Sequence, residues 1–133
     1  MDLQTVRDLN KRSRAIRAKL QTLREVSTAI PNRRLDGMPK GTPTTSRTES
    51  LAVKMTDLEL ELISLANETA EQAAALTNEI LSYVDNPDAF TVLIRRYVDD
   101  LPFKRIAQQL NFSEAQVFYL HRRGVKEFNS RQK

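Results

Sequence analysis

The residues whose types and spacing suit chemistry lie near the end of the chain, in the stretch LPFKRIAQQLNFSEAQVFYLHRR (residues 101–123). This stretch mixes cations, amides and aromatic side chains within two short helical patterns. Amide and carboxylate side chains can read the edges of bases, whereas Lys and Arg neutralise phosphates. The chemistry that the stretch suggests is therefore recognition of a nucleic acid.

The last helix of the stretch is predicted over residues 113–128, with Ser113 as its N-cap and Glu114 in its first turn. At about 100° per residue, one side of this helix is apolar and is expected to be buried: Val117, Leu120, Gly124 and Phe128. The other side and its flanks carry small, polar and cationic residues: Ala115, Gln116, Tyr119, Arg122, Arg123 and Lys126. A helix that enters the DNA major groove by its N-terminal half needs this order, with base-reading side chains first and phosphate-binding charges after them.

The helix before it is predicted to start with Pro102 in its first position and to end near Leu110. Its apolar residues Ile106, Ala107 and Leu110 are expected to face inward, and the small Ala107 lets the next helix cross closely. Lys104 and Arg105 stand at its entrance, where the first helix of such a pair crosses the DNA backbone. Asn111 and Phe112 form the break, since Asn tolerates the left-handed conformation that a tight turn often needs.

Four residues of the last helix keep two interpretations. Phe118 and Tyr119 either meet bases or cover the long helices or a dimer partner. Glu114 either reads a cytosine or only favours the helix dipole. His121, the single histidine, lies near the apolar side of the wheel, which favours a partly buried packing role over a role in catalysis or pH sensing.

Two long helices are predicted upstream, over residues 3–30 and 49–84, because apolar residues recur there at steps of three and four. The Gly- and Pro-containing segment 31–48 between them is predicted to be a loop. Residues 1–48 carry a net charge of +7, residues 49–85 carry −7 and residues 86–133 carry +4. Such opposite charges favour an antiparallel hairpin or dimerisation. The alternative is that Arg7, Lys11 and Arg14 on the first helix bind nucleic acid directly.

The sequence thus predicts two domains, a helical hairpin over residues 1–85 and a three-helix module over residues 86–133. The module opens after Asn86-Pro87 with a short helix over 89–98 and a turn at Asp99-Asp100. The fold class of the whole chain is predicted to be all-α.

Composition argues against several other classes of protein. With no Cys and a single His, the usual zinc sites and catalytic triads cannot form, so we expect no enzyme, no catalytic residue, no metal and no cofactor. No run of 18 apolar residues is present, and a chain with 29% charged residues and no Cys is expected to work in the cytoplasm, away from the membrane.

The stretch LIRRYVDDLPFKRIAQQLNFSEAQVFYLHRRGVKEF resembles the helix-turn-helix of sigma-70 region 4. The shared features are an apolar helix ending in Arg-Tyr, an acidic turn, I-A-x-x-L, a short turn, S-x-x-x-V and a closing apolar pair. The chain departs from that pattern at Asn111, where Gly is usual, and at Gly124, where Ala is usual. The long helices and the loop more loosely resemble small phage and prophage proteins grouped with RinA- and ArpU-like late-transcription regulators.

The resemblance implies a long antiparallel hairpin followed by a region 4-like helix-turn-helix that regulates transcription of phage or prophage genes. The expected partners are double-stranded DNA, a second copy of the chain and host RNA polymerase. Because regions 2 and 3 of a sigma factor have no counterpart here, a promoter-melting sigma factor is not expected. The alternatives are a helical adaptor that binds RNA polymerase or another protein, and a small DNA-packaging subunit.

Overall fold

A computed structural model describes residues 1–29 and 42–132, and every regular element within these ranges is helical. The chain is therefore all-α, as its periodicity predicts. The elements are, in chain order, α1 (Thr5–Ala29), α2 (Thr42–Tyr83), α3 (Pro87–Leu93), a π-helical segment (Ile94–Val98), α4 (Phe103–Leu110) and α5 (Glu114–Gln132).

The two long helices differ from their predicted bounds at their first residues. α1 begins at Thr5 and not at residue 3, because Asp2 forms a turn in which its Oδ1 accepts a hydrogen bond of 3.0 Å from the backbone N–H of Gln4. α2 begins at Thr42, so the predicted loop over 31–48 is wrong for residues 42–48, while residues 30–41 lie outside the described part of the chain. Pro43 is compatible with the first turn because the N–H that proline lacks would have no helical partner there.

The chain divides into two compact units. A two-helix unit lies within Lys11–Asn67 and contains parts of α1 and α2 alone, and a multi-helix unit contains Met1–Asn10 together with the chain from Glu68 onwards. This division differs from the expected boundary after residue 85. The reason is a shared core, in which Leu3 and Val6 pack with residues from the end of α2 and from the shorter helices.

The multi-helix unit is built around two apolar clusters. The larger one joins the start of α1, the end of α2, α3, the π-helical segment and α5 through Leu3, Val6, Leu76, Ile80, Val84, Ala89, Leu93, Tyr97 and Phe128. The smaller one joins α3, α4 and α5 through Val92, Ile106, Ala107, Val117 and Leu120, with Leu110 half-buried against it. α5 contributes to both clusters, so its orientation is fixed along most of its length.

The predicted buried side of α5 is confirmed, since Val117, Leu120, Gly124 and Phe128 are all buried. Gly124 stands where α5 approaches α3 most closely. A Cβ atom at this position would lie 3.0 Å from Leu93 Cδ1 and 3.4 Å from Ala89 Cβ. The glycine therefore allows close helix packing, and α5 continues through it without ending.

Caps and a change of helix type define the ends of the short helices. The Asn86 side chain accepts hydrogen bonds from the backbone N–H groups of Asp88 and Ala89 and so starts α3 at Pro87, two residues before the predicted start. The π-helical segment replaces the second half of the predicted helix 89–98. Its first two carbonyls accept hydrogen bonds across wider turns, from Asp99 N–H to the Ile94 carbonyl and from Leu101 N–H to the Arg95 carbonyl, both at 3.0 Å. Pro102 is the N-cap of α4 and not its first helical residue.

Two residues with positive φ set the turns on either side of α4. Asp100, in the predicted acidic turn, has φ of 59°. Asn111 has φ of 59° and ψ of 39°, which confirms the predicted left-handed conformation at the break before α5. Both are residue types that tolerate this region better than most, because their short polar side chains can bond locally.

In the two-helix unit, α1 and α2 pack side by side through apolar residues. Ile16, Leu20 and Leu65 are buried, and the one buried polar residue among those described is Ser13. On the surface, Arg24 Nη2 lies 3.5 Å from Glu59 Oε2, between the basic and the acidic helix. Both of these side chains are about half exposed, so the pair contributes little to stability.

Candidate nucleic-acid interface

The ten residues that sequence reasoning selects for DNA contact are all exposed to solvent: Lys104, Arg105, Ser113, Glu114, Ala115, Gln116, Tyr119, Arg122, Arg123 and Lys126. Two lie in the first turn of α4, one is the cap of α5, and the others follow along α5. Their exposure leaves them able to meet a ligand, whereas their role in binding stays a prediction.

The start of α5 is held by its cap. Ser113 Oγ accepts a hydrogen bond of 3.1 Å from the backbone N–H of Gln116, and the Ser113 carbonyl accepts one of 3.1 Å from Val117 N–H. This arrangement confirms Ser113 as the N-cap and directs the Ser113 side chain toward the helix. Glu114 follows in the first turn, where a negative charge is favoured by the helix dipole.

A groove of about 460 Å³ lies between α4 and the start of α5. It brings together two of the predicted residues, Lys104 and Glu114, which are of opposite charge. The rest of its lining is Ala107, Gln108, Asn111 and Phe112. Gln108 is an exposed amide side chain of α4 and lies beside the predicted residues Lys104 and Glu114. The periodicity of α5 alone does not predict it, because Gln108 lies on a different helix.

An aromatic cluster of Tyr97, Phe103, Phe118 and His121 fixes the first turn of α4 against α5. The Phe103 ring lies 4.8 Å from the Phe118 ring and 4.9 Å from the His121 ring, and the Arg96 guanidinium stands 4.1 Å from the Phe103 ring centre. Phe118 thus contacts α4 through the Phe103 ring while remaining 41% exposed. The spacing of Phe118 and His121 indicates that both lie on one side of α5, whereas no periodic signal in the sequence points to Phe103 as their partner.

His121 is packed, as its position on the wheel predicts. Its Nε2 lies 2.6 Å from the Tyr97 hydroxyl, and the two rings stack with centres 5.5 Å apart. Burial lowers the pKa of His121 below its ordinary value of 6.5, and the positive charges of Arg96 and Arg122 lower this pKa further. Burial also raises the pKa of the Tyr97 hydroxyl above 10.0. Both side chains are therefore neutral at pH 7.

We expect the stability of the multi-helix unit to fall as the pH drops below 6.5. Because the pKa of His121 is lower in the folded than in the unfolded chain, the unfolded chain binds the proton first. The stabilisation is present above pH 6.5 and is lost as the pH falls through the lowered pKa. Urea denaturation between pH 7 and about pH 5, above the titration of most carboxylates, measures this loss.

The control for this effect is His121→Gln, which keeps a polar side chain but cannot take up a proton. In this variant, the urea concentration at the denaturation midpoint should change less with pH over the same interval. A second readout is the NMR titration of the single imidazole in the chain, which should show a pKa below 6.5. A pKa above 6.5, or an equal pH dependence in the variant, would contradict the role assigned to His121.

Arg7 was an alternative nucleic-acid contact, together with Lys11 and Arg14. In the structure, its Nε donates a hydrogen bond of 2.8 Å to Asp100 Oδ1, and the Asp100 side chain is only 9% exposed. Arg7 therefore holds the turn before α4, and contact of the first helix with nucleic acid stays a prediction. Lys11 is exposed.

The exposed side of α5 has dimensions that match a DNA major groove. From Ala115 to Lys126 the helix rises by about 16 Å, and a helix with its side chains is about 10–12 Å across. The major groove of B-DNA is about 12 Å wide. When the N-terminal half of α5 faces the base edges, Arg122 and Lys126 lie about 10 Å or more farther along the helix, where a crossing helix reaches the phosphates.

Comparisons with protein-family models, with curated proteins and with solved structures find no match for this chain. None of the helices in residues 1–29 and 42–132 is both long and apolar enough to span a bilayer. Within the same ranges, His, Asp and Glu side chains form no group of three or more that could hold a metal ion.

Proposed function

We propose that this protein is a cytoplasmic, sequence-specific regulator of transcription that binds double-stranded DNA with α5 as its recognition helix. The observation that carries the proposal is the division of α5 into two sides. One side is buried in both clusters of the multi-helix unit, and the other exposes amide and aromatic side chains first and cationic side chains after them, which is the order expected of a helix that enters a groove. A cap at Ser113 and an aromatic cluster beside Phe103 pre-organise this surface.

In this proposal, different residues have different roles. Gln116 and Tyr119, helped by Ala115 and Glu114, contact base edges. The cations of α4 and α5 contact phosphates: Lys104, Arg105, Arg122, Arg123 and Lys126. The resemblance of residues 93–128 to sigma-70 region 4 supports DNA binding, and the looser resemblance of the long helices and the loop to RinA- and ArpU-like regulators supports a place at phage or prophage promoters.

A second candidate function is that of an adaptor that binds host RNA polymerase or another protein. It is favoured by Phe118 and Tyr119, two neighbouring aromatic side chains of α5 that are 41% and 53% exposed. Aromatic side chains of this kind are enriched at the centres of protein–protein interfaces. An adaptor would bind a protein and would not select a DNA sequence. A DNA-packaging subunit would bind duplex DNA, but without a preference for one sequence.

Selection of random-sequence duplex DNA followed by sequencing tests the proposal. The wild-type chain should enrich one motif, and Gln116→Ala should relax the preference at one position by about 1–3 kcal/mol. Arg122→Ala should weaken binding to all sequences alike, because a phosphate contact carries no sequence information.

The matched control is Arg17→Ala, which removes an exposed arginine of α1 in the two-helix unit. It should leave both the motif and the affinity unchanged. Salt-sensitive binding without an enriched motif would favour the packaging subunit, and no binding to any duplex would favour the adaptor. Equal losses on every sequence from Gln116→Ala and Arg122→Ala would disprove the assignment of roles.

A further inference from the structure

The turn before α4 determines where the first helical turn of α4 lies. Its residue Asp100 has φ of 59°, a left-handed conformation that costs free energy and persists only where neighbouring contacts support it. The carbonyl of Pro102, the N-cap, accepts hydrogen bonds from the backbone N–H groups of Arg105 and Ile106 at 3.0 and 3.1 Å. Because α4 is tied to the turn in this way, a displacement of the turn also displaces Lys104 and Arg105.

Side chains from two different parts of the chain bind this turn. Arg96, at the end of the preceding helical segment, donates a hydrogen bond of 3.1 Å from Nη1 to the Leu101 carbonyl, and its guanidinium lies over the Phe103 ring. Arg7, from α1, donates from Nε to Asp100 Oδ1 at 2.8 Å. The Asp100 side chain is almost buried, so water and salt screen this ion pair less than an exposed one. Arg7 therefore ties the turn to α1.

We infer that Arg7 is a positioning residue for DNA binding, because it holds the turn that places Lys104 and Arg105 near phosphates. The inference rests on the proposed function of α4 and α5. A contact with phosphate depends on where the cation lies, so groups that fix the helix carrying it contribute to affinity without touching DNA. In the alternative, the Arg7 guanidinium binds a phosphate itself, and Asp100 competes with the DNA for it.

The first test is the salt dependence of duplex DNA binding by Arg7→Met, which removes the charge and keeps an apolar stem. The slope of log affinity against log salt should become less negative by about 1–2, because each lost phosphate contact contributes about 0.9. At about 0.1 M salt, the affinity should fall by roughly 8- to 60-fold. Arg7→Lys keeps a cation that can pair with Asp100 and should retain most of the wild-type slope.

The matched control is Arg24→Met, which removes the same charge and breaks the ion pair with Glu59 in the two-helix unit. It should leave the slope unchanged. A wild-type slope in Arg7→Met overturns this inference alone, whereas a wild-type chain that binds no duplex overturns the proposed function together with it.

A change at Asp100 separates the positioning role from a direct phosphate contact. Asp100→Gly removes the acceptor of Arg7, and glycine adopts a positive φ without strain. Because this variant loses a negative charge, a direct contact by Arg7 predicts tighter binding, whereas the positioning role predicts weaker binding. The double variant with Arg7→Met should bind no more weakly than the weaker single variant, since both changes break the same link. Tighter binding by Asp100→Gly, or additive losses, overturns the inference.

Hydrogen exchange in the DNA-free protein, followed by NMR, separates a local effect on α4 from a general loss of stability. In Arg7→Met, the Ile106 amide, which donates to the Pro102 carbonyl, should exchange at least about tenfold faster than in the wild-type chain. The Val117 amide, which donates to the Ser113 carbonyl at the start of α5, should keep its wild-type rate. Equal acceleration of both amides would indicate a general loss of stability and would overturn the positioning role.

Discussion

Replacing Phe128 with alanine should lower the free energy of unfolding of the multi-helix unit by about 3–5 kcal/mol. Phe128 has no exposed surface and is the largest fully buried side chain among the described residues. Its ring packs edge-on against Tyr83 at 5.5 Å and fills the larger apolar cluster between α2, α3 and α5. The alanine variant loses this contact and leaves a cavity that neighbouring helices can close only in part.

The matched control for this variant is Phe118→Ala on the same helix. Phe118 is 41% exposed and touches mainly the Phe103 ring, so its replacement should cost only about 1 kcal/mol. Urea denaturation followed by circular dichroism measures both values. Domains of this size are stable by about 5–15 kcal/mol, so the Phe128 variant should be clearly less stable even at low urea. Equal costs for the two variants would show that the larger cluster does not anchor α5.

The anchoring of α5 is the part of this fold that sequence reasoning describes best. Its buried side follows from apolar residues at steps of three and four, its start from Ser113, and the preceding left-handed turn from Asn111. These signals are local, because a cap, a turn residue and a helical period each depend on residues a few positions apart. The same local signals predict which side of α5 is exposed, and hence the candidate interface.

Features that depend on distant residues were not predictable in this way. Arg7 reaches Asp100 across 93 positions of the chain, and Phe103 meets Phe118 only once α4 and α5 have packed together. Neither contact leaves a period in the sequence. The sequence also does not distinguish the π-helical segment from Ile94 to Val98 from an ordinary α-helix end, because its residues are of the same apolar and cationic types.

Composition was also misleading at the start of α2. The Pro and hydroxyl residues after residue 41 are typical of loops, yet residues 42–48 are helical. Pro and Thr are unfavourable in the interior of a helix but acceptable in its first turn. The residue types therefore fit either structure, and position within the helix decides between them.

Binding to duplex DNA should depend steeply on salt. When Lys104, Arg105, Arg122, Arg123 and Lys126 each neutralise one phosphate, binding releases the same number of condensed counterions. The logarithm of the binding constant should then fall with the logarithm of the salt concentration with a slope of about −4 to −5. A fourfold rise in salt should accordingly lower the affinity by roughly 250- to 1,000-fold. Fluorescence anisotropy with a labelled duplex over a salt series measures this slope.

Two matched triple variants test whether the salt dependence of DNA binding comes from the cations of α5 or from the net charge of the whole molecule. Replacing Arg122, Arg123 and Lys126 with glutamine should make the slope less negative by about 2.7, because each lost phosphate contact contributes about 0.9. Replacing the exposed Arg12, Arg17 and Lys19 of α1 with glutamine removes the same charge from the two-helix unit and should leave the slope unchanged. Equal changes in both variants would indicate that the overall charge of the molecule, and not the exposed side of α5, attracts the DNA. A slope near zero for the wild-type chain would be incompatible with phosphate contacts at α5 and would favour a protein partner for the surface that includes Phe118 and Tyr119.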